Sequence, residues 1–426
     1  TNPPLDYIRE ELVTSLESRL GYQRNLLDET QEHARQLVLD SPILTDQEMA
    51  DIKAIEENGM STTTIDITYD PSEDDLESAV ESVRAQADAA ATEHDIIVLS
   101  DRNAGPDEVP ISSLLAVGGV HHHLVRNGLR NHVGLVLESG DPRAVHHFAT
   151  LVGYGVGAIN PYLAYQTIED LVAGPDGADL ETAIDAYINA VEDGLLKTMA
   201  KMGISTVESY QGAQIFEAVG LASDFVAEYF EGTENRTQGI GIDEIESDLE
   251  RRHTVAWDDE VPEIERVGEY ENRSGGIYHS WNPDTVGKLQ QAVRMGDYEQ
   301  YKEFAELIND QNETLHTLRG LLEFDDDDRD SIPIEDVEPV EEIVTRFETA
   351  AMSLGSLSPE MHENNAIAMN RIGATANTGE GGEPPERFNT EKECKTKQVA
   401  SGRFGVTSTY LSEAEELQIK MAQGSK

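Results

Sequence analysis

Lysine is concentrated near the carboxyl terminus of this acidic sequence. The chain contains ten lysines, and half of them lie in the last 35 residues: Lys392, Lys395, Lys397, Lys420 and Lys426. Lys397 and Lys420 fall within predicted strands, where burying a charge costs free energy unless something pairs with it. We therefore predict that this cluster binds an anionic ligand. The alternative is that the lysines pair with nearby acids such as Glu380 and Glu383.

Small and polar residues follow the predicted strands of the same region. They are Ser353, Gly355 and Ser356; Thr378, Gly379 and Glu380; Ser401, Gly402 and Arg403; and Gln423 with Lys426. Parallel α/β proteins bind ligands at the carboxyl ends of their strands, and glycine lets the backbone approach a ring or phosphate closely. The pattern predicts a phosphorylated planar cofactor across a barrel mouth, although a single glycine-rich turn is more often only a turn.

Four strand and helix units carry these residues from position 341 onward. The predicted strands lie in "TAAMSLGS", "ATANTGEGGE", "KQVASGRFG" and "LQIKMAQG", and the clearest helix begins at Ser358-Pro359 and ends at Gly373. Four such units make half of an eight-stranded barrel. Residues 341–426 are therefore predicted to form the amino-terminal half of a (β/α)8 TIM-type barrel.

A similar alternation of strands and helices runs through residues 42–325. A capping box at Thr45 and Glu48 begins a helix that Asn58-Gly59 should end, and "DIIVLSDR", "VGLVLESG", "VGAINP" and "ISTVESYQG" are predicted strands. This alternation predicts an α/β domain with a mainly parallel sheet.

Two further segments flank or join these domains. Residues 1–41 have apolar residues spaced for one helix face and are predicted to form a helical lead-in. Residues 326–340 contain a run of aspartates followed by two prolines, which is typical of a solvated linker.

Polar residues also follow the strands of the first domain and predict a second pocket. They are Ser100, Asp101 and Arg102; Glu138 and Ser139; and Asn160. The histidines His121–His123, His146 and His147 are neighbours on predicted helices, where adjacent side chains point about 100° apart and do not converge on one ion. We interpret them as structural and predict no metal site.

The net charge of −52, from 83 acidic and 31 basic residues spread along the chain, makes nucleic acid an unsuitable partner. We interpret the acidity as adaptation to a salt-rich cytoplasm, because the Debye length falls to about 3 Å in 1 M salt; a basic protein partner is the alternative. The single cysteine, Cys394, excludes an internal disulfide or an iron–sulfur cluster built by this chain alone. No apolar run or signal peptide suggests a membrane, so a cytoplasmic location is predicted.

Several long blocks resemble the large subunit of glutamate synthase. "TNPPLDYIREELV" resembles the passage that joins its amidotransferase domain to its central domain. The blocks that resemble the central domain are "HHHLVRNGLR", "ESGDPRAVHHFATLVGYGVGAINPYLA" and "KMGISTVESYQGAQIFEAVGL". Those that resemble the first half of the FMN-binding synthase barrel are "AMSLGSLSPEMHENNAIAMNRIGATANTGEGGE", "KQVASGRFGVTSTYL" and "LQIKMAQGSK". The resemblance covers nearly the whole chain.

The resemblance implies a reaction and a set of site residues. Ammonia released from glutamine would condense with 2-oxoglutarate, and reduced FMN would convert the imine to L-glutamate. Electrons would come from ferredoxin or a nicotinamide-dependent small subunit through an iron–sulfur cluster. The implied flavin contacts are Ser353, Gly355 and Ser356; Lys397, Ser401 and Arg403 would hold flavin or keto acid; Lys420, Gln423 and Lys426 would bind 2-oxoglutarate, with Lys420 and Lys426 catalytic; and Glu380 and Glu383 are further substrate-site candidates.

The resemblance also implies that this chain is a fragment of such a synthase. The catalytic cysteine of the amidotransferase domain would precede Thr1, and the cysteines of the cluster would follow Lys426. We expect this chain alone to have no synthase activity. Two other functions stay open from the sequence: a non-catalytic scaffold that docks partner domains, and a different FMN-dependent barrel oxidoreductase.

Overall fold

The computed structural model describes residues 12–55, 59–174, 179–257, 267–310, 314–325, 330–400 and 406–421. It divides into two compact units, Thr1–Ile264 and Glu265–Lys426. The helices within residues 283–309 therefore group with the second unit, whereas the sequence assigned them to the central domain. Residues 326–329 of the predicted linker lie outside the described residues.

The first unit alternates strands and helices along most of its length. Its strands are β1 (Ser18–Leu20), β2 (Leu37–Leu39), β3 (Thr62–Asp66), β4 (Thr68–Tyr69), β5 (Ile96–Ser100), β6 (Val109–Pro110), β7 (Gly134–Glu138), β8 (Ala158–Asn160), β9 (Glu217–Ala218) and β10 (Glu234–Asn235). Its helices are α1 (Asp46–Lys53), α2 (Leu76–Glu93), α3 (Ser113–Arg126), α4 (Val145–Gly153), α5 (Tyr162–Val172), α6 (Leu180–Met202), α7 (Val207–Tyr210), α8 (Ser223–Tyr229) and α9 (Ile242–Ala256).

A parallel sheet in the order β3-β5-β7-β8 forms the centre of this unit. The strands β5 and β7 are continuous apolar runs because both faces of the sheet are covered. Ile97 and Leu99 of β5 pack into a core with residues of α2 and α3, while Ile96 and Val98 on the opposite face pack with Leu44 and residues of α1. The prediction of a parallel α/β fold is confirmed.

Two local predictions for this unit are wrong. Residues 12–41, predicted to be helical, contain the antiparallel pair β1 and β2 and a short 3-10 helix at Gln31–Ala34. The stretch "ISTVESYQG", predicted to be a strand, contains α7, because the Thr206 hydroxyl accepts a hydrogen bond from the Ser209 amide (3.3 Å) and caps the turn. The capping box at Thr45 is confirmed, but α1 ends at Lys53, before the predicted Asn58-Gly59.

The second unit begins with a pair of helices and continues with strand and helix units. Its helices are α10 (Pro283–Met295), α11 (Tyr298–Asn309), α12 (Val340–Ile343), α13 (Pro359–Ile372) and α14 (Ser408–Ser412), and its strands are β11 (Thr396–Val399) and β12 (Glu416–Ile419). The predicted limits of α13 are confirmed: Ser358 caps its start, and Gly373 ends it in a left-handed conformation.

Four chain segments of this unit pair in parallel and in sequence order. Glu348 forms a parallel bridge with Thr375, Asn377 forms one with Thr396, and β11 pairs with β12. A right-handed succession of parallel strands separated by helices is the construction of a (β/α)8 barrel. The second unit therefore has the strand order of the first half of such a barrel, as the sequence predicts.

In the part of the chain that the structure describes, no helix combines the length and apolar character needed to cross a membrane.

Candidate functional site

The first two predicted loops of the barrel unit lie against each other. Ser353 is half-buried, and Gly355 and Ser356 are exposed. The glycine-rich loop that follows the next strand packs onto this loop through Gly379, where a β-carbon would lie 2.6 Å from the Ser353 amide nitrogen. The structure thus brings together the loops that carry Ser353 and Glu380.

Replacing Gly379 by alanine should destabilise the second unit more than the same change at Gly373. Both residues have positive φ, +64° and +83°, which costs an alanine about 1–2 kcal/mol. Only Gly379 would also collide with neighbouring backbone, which should add about 1–3 kcal/mol. Hydrogen exchange of the second unit measures the difference, and equal losses for the two variants would show that the packing of the two loops contributes nothing.

Four further site predictions concern residues outside the described part of the chain. They are Ser401, Arg403, Gln423 and Lys426. Their roles stay predictions.

Lys397 is the buried centre of an ion cluster with Glu383 and Glu393. Its ammonium group donates to Glu383 Oε2 (3.0 Å), Glu393 Oε1 (3.0 Å) and the Cys394 carbonyl (2.8 Å), and its side chain has no exposed surface. An ammonium has three donors, so all of them are used. From the sequence we predicted that Lys397 contacts flavin or keto acid, with pairing to local acids as the alternative. In the structure Lys397 pairs with the local acids Glu383 and Glu393.

Glu383 joins this cluster to the glycine-rich loop. Its carboxylate also accepts a hydrogen bond from the Cys394 amide (2.9 Å). Burial first, and then the Glu383 charge, raise the pKa of the Cys394 thiol to about 12. The thiol is therefore protonated at neutral pH and is a poor nucleophile.

Lys420 also forms an ion pair, and it is more accessible to solvent than that of Lys397. Its ammonium group lies 3.0 Å from Glu380 Oε1, and 26% of its side chain is exposed. The Lys420 amide donates to the Val399 carbonyl (2.8 Å), so Lys420 continues the ladder just past β12. The structure therefore places a cation and a carboxylate together at the carboxyl ends of two barrel segments.

A buried hydrogen-bond network beneath the loops was not predicted from the sequence. Arg387 donates to Nδ1 of His362 (2.8 Å), and because a guanidinium only donates, the ring proton of His362 lies on Nε2. Nε2 then donates to the Thr378 carbonyl (3.1 Å), and the Tyr410 hydroxyl lies 2.7 Å from Thr378 Oγ1. These contacts join residues up to 32 positions apart, and no local sequence pattern predicts them.

The predicted strand ends of the first unit also converge, and they form an ion network around Glu138. Lys53 Nζ lies 2.6 Å from Glu138 Oε2, Arg102 Nε lies 3.4 Å from Oε1, and Ser100 donates to the same carboxylate. Burial pulls the pKa of Glu138 upward, but the hydrogen bonds from Lys53 and Ser100 and the nearby positive charges outweigh it and leave the pKa below its usual value. The carboxylate is thus satisfied within the protein.

Replacing Glu138 by glutamine should destabilise the first unit at neutral pH, and the loss should shrink in acid. A depressed pKa contributes stability above the unfolded value of about 4.3, and this contribution is lost as the pH falls through the lower folded value. The unfolding of both proteins between pH 7 and pH 3 measures this effect. Glu93→Gln, at an exposed position, is the matched control. If the difference in unfolding free energy between Glu138→Gln and the unmodified protein stays constant with pH, the depressed pKa of Glu138 is contradicted.

The other predicted strand-end residues of this unit also have partners inside the protein. Ser139 donates to Asp101 Oδ2 (2.5 Å), and Asn160 donates to Asp46 Oδ1 (2.9 Å). Burial raises the pKa of Asp101 despite the hydrogen bonds from Ser139 and Gly140. Among the described residues, no group of three or more His, Cys, Asp or Glu side chains is arranged to hold a metal ion.

The fold defines an α/β protein whose second unit begins a (β/α)8 barrel with an ion pair at its strand ends. A family model described as "Glutamate synthase central domain" matches residues 1–222, and one described as "Conserved region in glutamate synthase" matches residues 279–426. The chain belongs to the glutamate synthase family.

Three curated relatives match the whole chain. The glutamate synthase [NADPH] large chain of Bacillus subtilis is 43% identical over 434 residues, the glutamate synthase [NADH] of Schizosaccharomyces pombe 45% over 443, and the ferredoxin-dependent glutamate synthase of Pyropia yezoensis 38% over 466. Each match includes 100% of this chain but only 28%, 21% and 30% of the respective relative. The chain thus spans less than a third of the length of these proteins.

Proposed function

We propose that this chain is the central region and the first half of the synthase barrel of a glutamate synthase, which makes L-glutamate from 2-oxoglutarate and glutamine-derived ammonia. The observation on which this rests is the Lys420–Glu380 pair at the strand ends of the unit that matches the glutamate synthase model. A lysine at this place can hold a carboxylate of the keto acid, and Glu380 keeps the site neutral until the substrate arrives.

Lys420 is better suited than Lys397 to contact the substrate directly. Lys420 is partly exposed, whereas Lys397 is fully buried and uses its three donors within the protein. Releasing Lys397 would leave Glu383 buried without its counter-ion, which is costly. We infer that Lys397 positions the glycine-rich loop through Glu383, and that Lys420 binds 2-oxoglutarate together with Gln423 and Lys426.

The loops of the barrel unit fit the ring end of FMN. Space is open in front of Gly355, where a β-carbon would meet nothing within 4 Å, and Ser356 is exposed beside it. Ser353, Gly355 and Ser356 would hold the ring edge, while Ser401 and Arg403 would hold the flavin or the keto acid. When bound, FMN supplies the hydride that reduces the imine; the protein positions the reactants and compensates their charge.

The proposed partners follow from the same assignment. The relatives are named for NADPH, NADH and ferredoxin, so the electron donor is either ferredoxin or a nicotinamide-dependent small subunit. An iron–sulfur cluster would carry the electrons, with ligands outside this chain, because the chain has one cysteine. An amidotransferase domain of the same protein would supply ammonia, and the location would be cytoplasmic.

The test of this proposal is the flavin chemistry of the intact protein. Its reduced flavin should be reoxidised by 2-oxoglutarate with ammonia, and L-glutamate should form in equal amount. Reoxidation by a 2-keto acid without ammonia, or glutamate-free turnover, would instead indicate another FMN-dependent barrel oxidoreductase. If the intact protein binds no flavin, the result would instead indicate a non-catalytic scaffold that docks partner domains.

The net charge of −52 supports a further proposal, that the protein works in a salt-rich cytoplasm. Its melting temperature should rise when KCl is increased from 0.1 M to 2 M, because the Debye length shrinks from about 10 Å to a few ångströms and self-repulsion falls. Sucrose at matched osmolarity is the control. A melting temperature that is unchanged or lower in KCl would contradict salt adaptation.

A further inference from the structure

Amide side chains from three neighbouring segments of the barrel unit meet on one face of its strands. Asn377 Nδ2 donates to Gln418 Oε1 (3.0 Å), and Gln398 Nε2 donates to the same oxygen (2.6 Å). The segment of Asn377 pairs with β11, and β11 pairs with β12, so the Asn377 side chain reaches across β11. The inner layers of (β/α)8 barrels are usually filled by bulky branched residues. Apolar packing therefore does not account for these amides.

Asn377 also joins the first barrel segment and the glycine-rich loop. Nδ2 donates a second hydrogen bond, to Glu348 Oε1 (3.0 Å), and Oδ1 accepts one from the Gly379 amide (2.9 Å). The backbone amide of Asn377 donates to Thr349 Oγ1 (3.0 Å). Asn377 is only 4% exposed. One buried residue therefore links the first, second and fourth parallel segments to the loop that carries Glu380.

The orientation of the Asn377 side-chain amide is determined at both of its ends. A backbone amide only donates, so the atom that faces Gly379 is Oδ1. The carboxylate of Glu348 accepts, so the atom that faces it is Nδ2. Turning the amide by 180° would replace these hydrogen bonds by contacts between two donors and between two acceptors. Asn377 therefore holds its neighbours in a single arrangement.

Two of these neighbours adjoin the ion pair that is proposed to bind the substrate. Gly379 directly precedes Glu380 in the chain. Gln418 lies two residues before Lys420, and residues two apart along a strand share one face. Lys420 Nζ lies 3.0 Å from Glu380 Oε1. Asn377 thus holds the chain beside each member of the pair, and its hydrogen bonds control the spacing between them.

We propose that Asn377 is a positioning residue for 2-oxoglutarate binding, which sets the spacing of Lys420 and Glu380 without touching the substrate itself. Its burial keeps it from the substrate. Its effect on the reaction comes from geometry, because a misplacement of about 1 Å at a reacting site can cost about 100-fold in rate. This inference rests on the function proposed above and adds to it a residue on which substrate affinity depends.

The experiment is a steady-state assay of glutamate formation by the intact protein, with 2-oxoglutarate as the varied substrate. Asn377→Leu nearly keeps the side-chain volume but removes the three side-chain hydrogen bonds. It should lower kcat/KM at least about tenfold, mainly through a higher KM. In the Lys420→Ala protein the same change should lower kcat/KM by less than about twofold further, because residues that act through one another are not additive. A residue that only supported the fold would lower kcat/KM equally in both proteins.

A second variant and a matched control keep folding defects apart from positioning. Gln418→Met, at a half-buried position, removes the hydrogen bonds that reach β12 and should lower kcat/KM at least about threefold. Asn282→Leu is the control, because the Asn282 side chain also makes three hydrogen bonds in this unit, all within the turn that begins α10. It should lower the melting temperature but leave kcat/KM within about twofold of the unmodified value.

Three results would overturn the role of Asn377 while leaving the proposed function intact. The first is a kcat/KM within about twofold of the unmodified value in both Asn377→Leu and Gln418→Met. The second is an equal loss from either change with and without the Lys420 side chain, and the third is an equal loss in Asn282→Leu. If the unmodified protein forms no glutamate, the proposed function is overturned, and this inference with it.

Discussion

Replacing Lys397 by methionine should destabilise the second unit by about 3–5 kcal/mol, the usual cost of removing one partner of a buried ion pair. Methionine fills much of the lysine volume, so the loss would come mainly from charge and hydrogen bonding. Glu383 and Glu393 would be left facing each other without a cation, and the side chain of Glu383 has no exposed surface. Native-state hydrogen exchange of β11 in the intact protein measures the change in opening free energy.

Lys395→Met is the control for this prediction. Lys395 lies two residues earlier, but its pair with Glu415 is exposed, at 3.8 Å, and should contribute less than about 1 kcal/mol. Adding Glu383→Gln to Lys397→Met should recover part of the loss, because it removes the unpaired charge. If Lys397→Met unfolds no more readily than Lys395→Met, yet loses flavin, Lys397 is a direct ligand and not a positioning residue.

Replacing Lys420 by alanine in the intact enzyme should lower kcat/KM for 2-oxoglutarate about 30-fold or more. This corresponds to about 2 kcal/mol, the lower end of the cost of truncating one partner of a hydrogen-bonded charge pair, because Lys420 is partly exposed. Glu380 would lose the neighbouring ammonium charge and repel the keto acid as well. Steady-state assays of glutamate formation measure this loss.

The glutaminase turnover of the same variant separates a local effect from a general one. It should be nearly unchanged, because the amidotransferase site would lie in another domain. Lys420→Arg, which retains the charge, should recover part of the 2-oxoglutarate affinity, and Lys395→Ala should affect neither activity. Equal loss of both activities in Lys420→Ala would contradict a substrate contact at this residue.

The sequence predicts the elements of this protein best where local signals agree. The run "DIIVLS" is apolar at every position but its ends, and it becomes a strand buried on both faces. The box at Thr45 and the cap at Ser358 each fix the first turn of a helix through contacts within three residues. Such features need no knowledge of the rest of the chain.

The predictions fail where distant contacts decide the outcome. Leu20 is apolar at helical spacing from Leu16, yet it belongs to β1, because a strand there packs Leu20 against the core face that holds Val136. This strand does not follow from residue type and spacing alone. Lys397 is a different case, because its partners Glu383 and Glu393 are only 14 and 4 positions away. Pairing with local acids was the alternative interpretation of the sequence, and the contact of Lys397 with a ligand stays a prediction.

A segment that precedes β3 in the chain lies beside β8, the last strand of the parallel sheet of the first unit. Ile43, which precedes β3 in the chain, bridges to Ile159 of β8, and the Leu44 amide donates to the Ile159 carbonyl (2.8 Å). The neighbouring Leu44 and Asn160 are 116 positions apart. At a synthesis rate of about 5–20 residues per second, the early segment waits roughly 6–23 s on the ribosome before its partner exists. Until then Ile43 and Leu44 lack the strand with which they pair, so this edge of the sheet can form only after β8 has been synthesised.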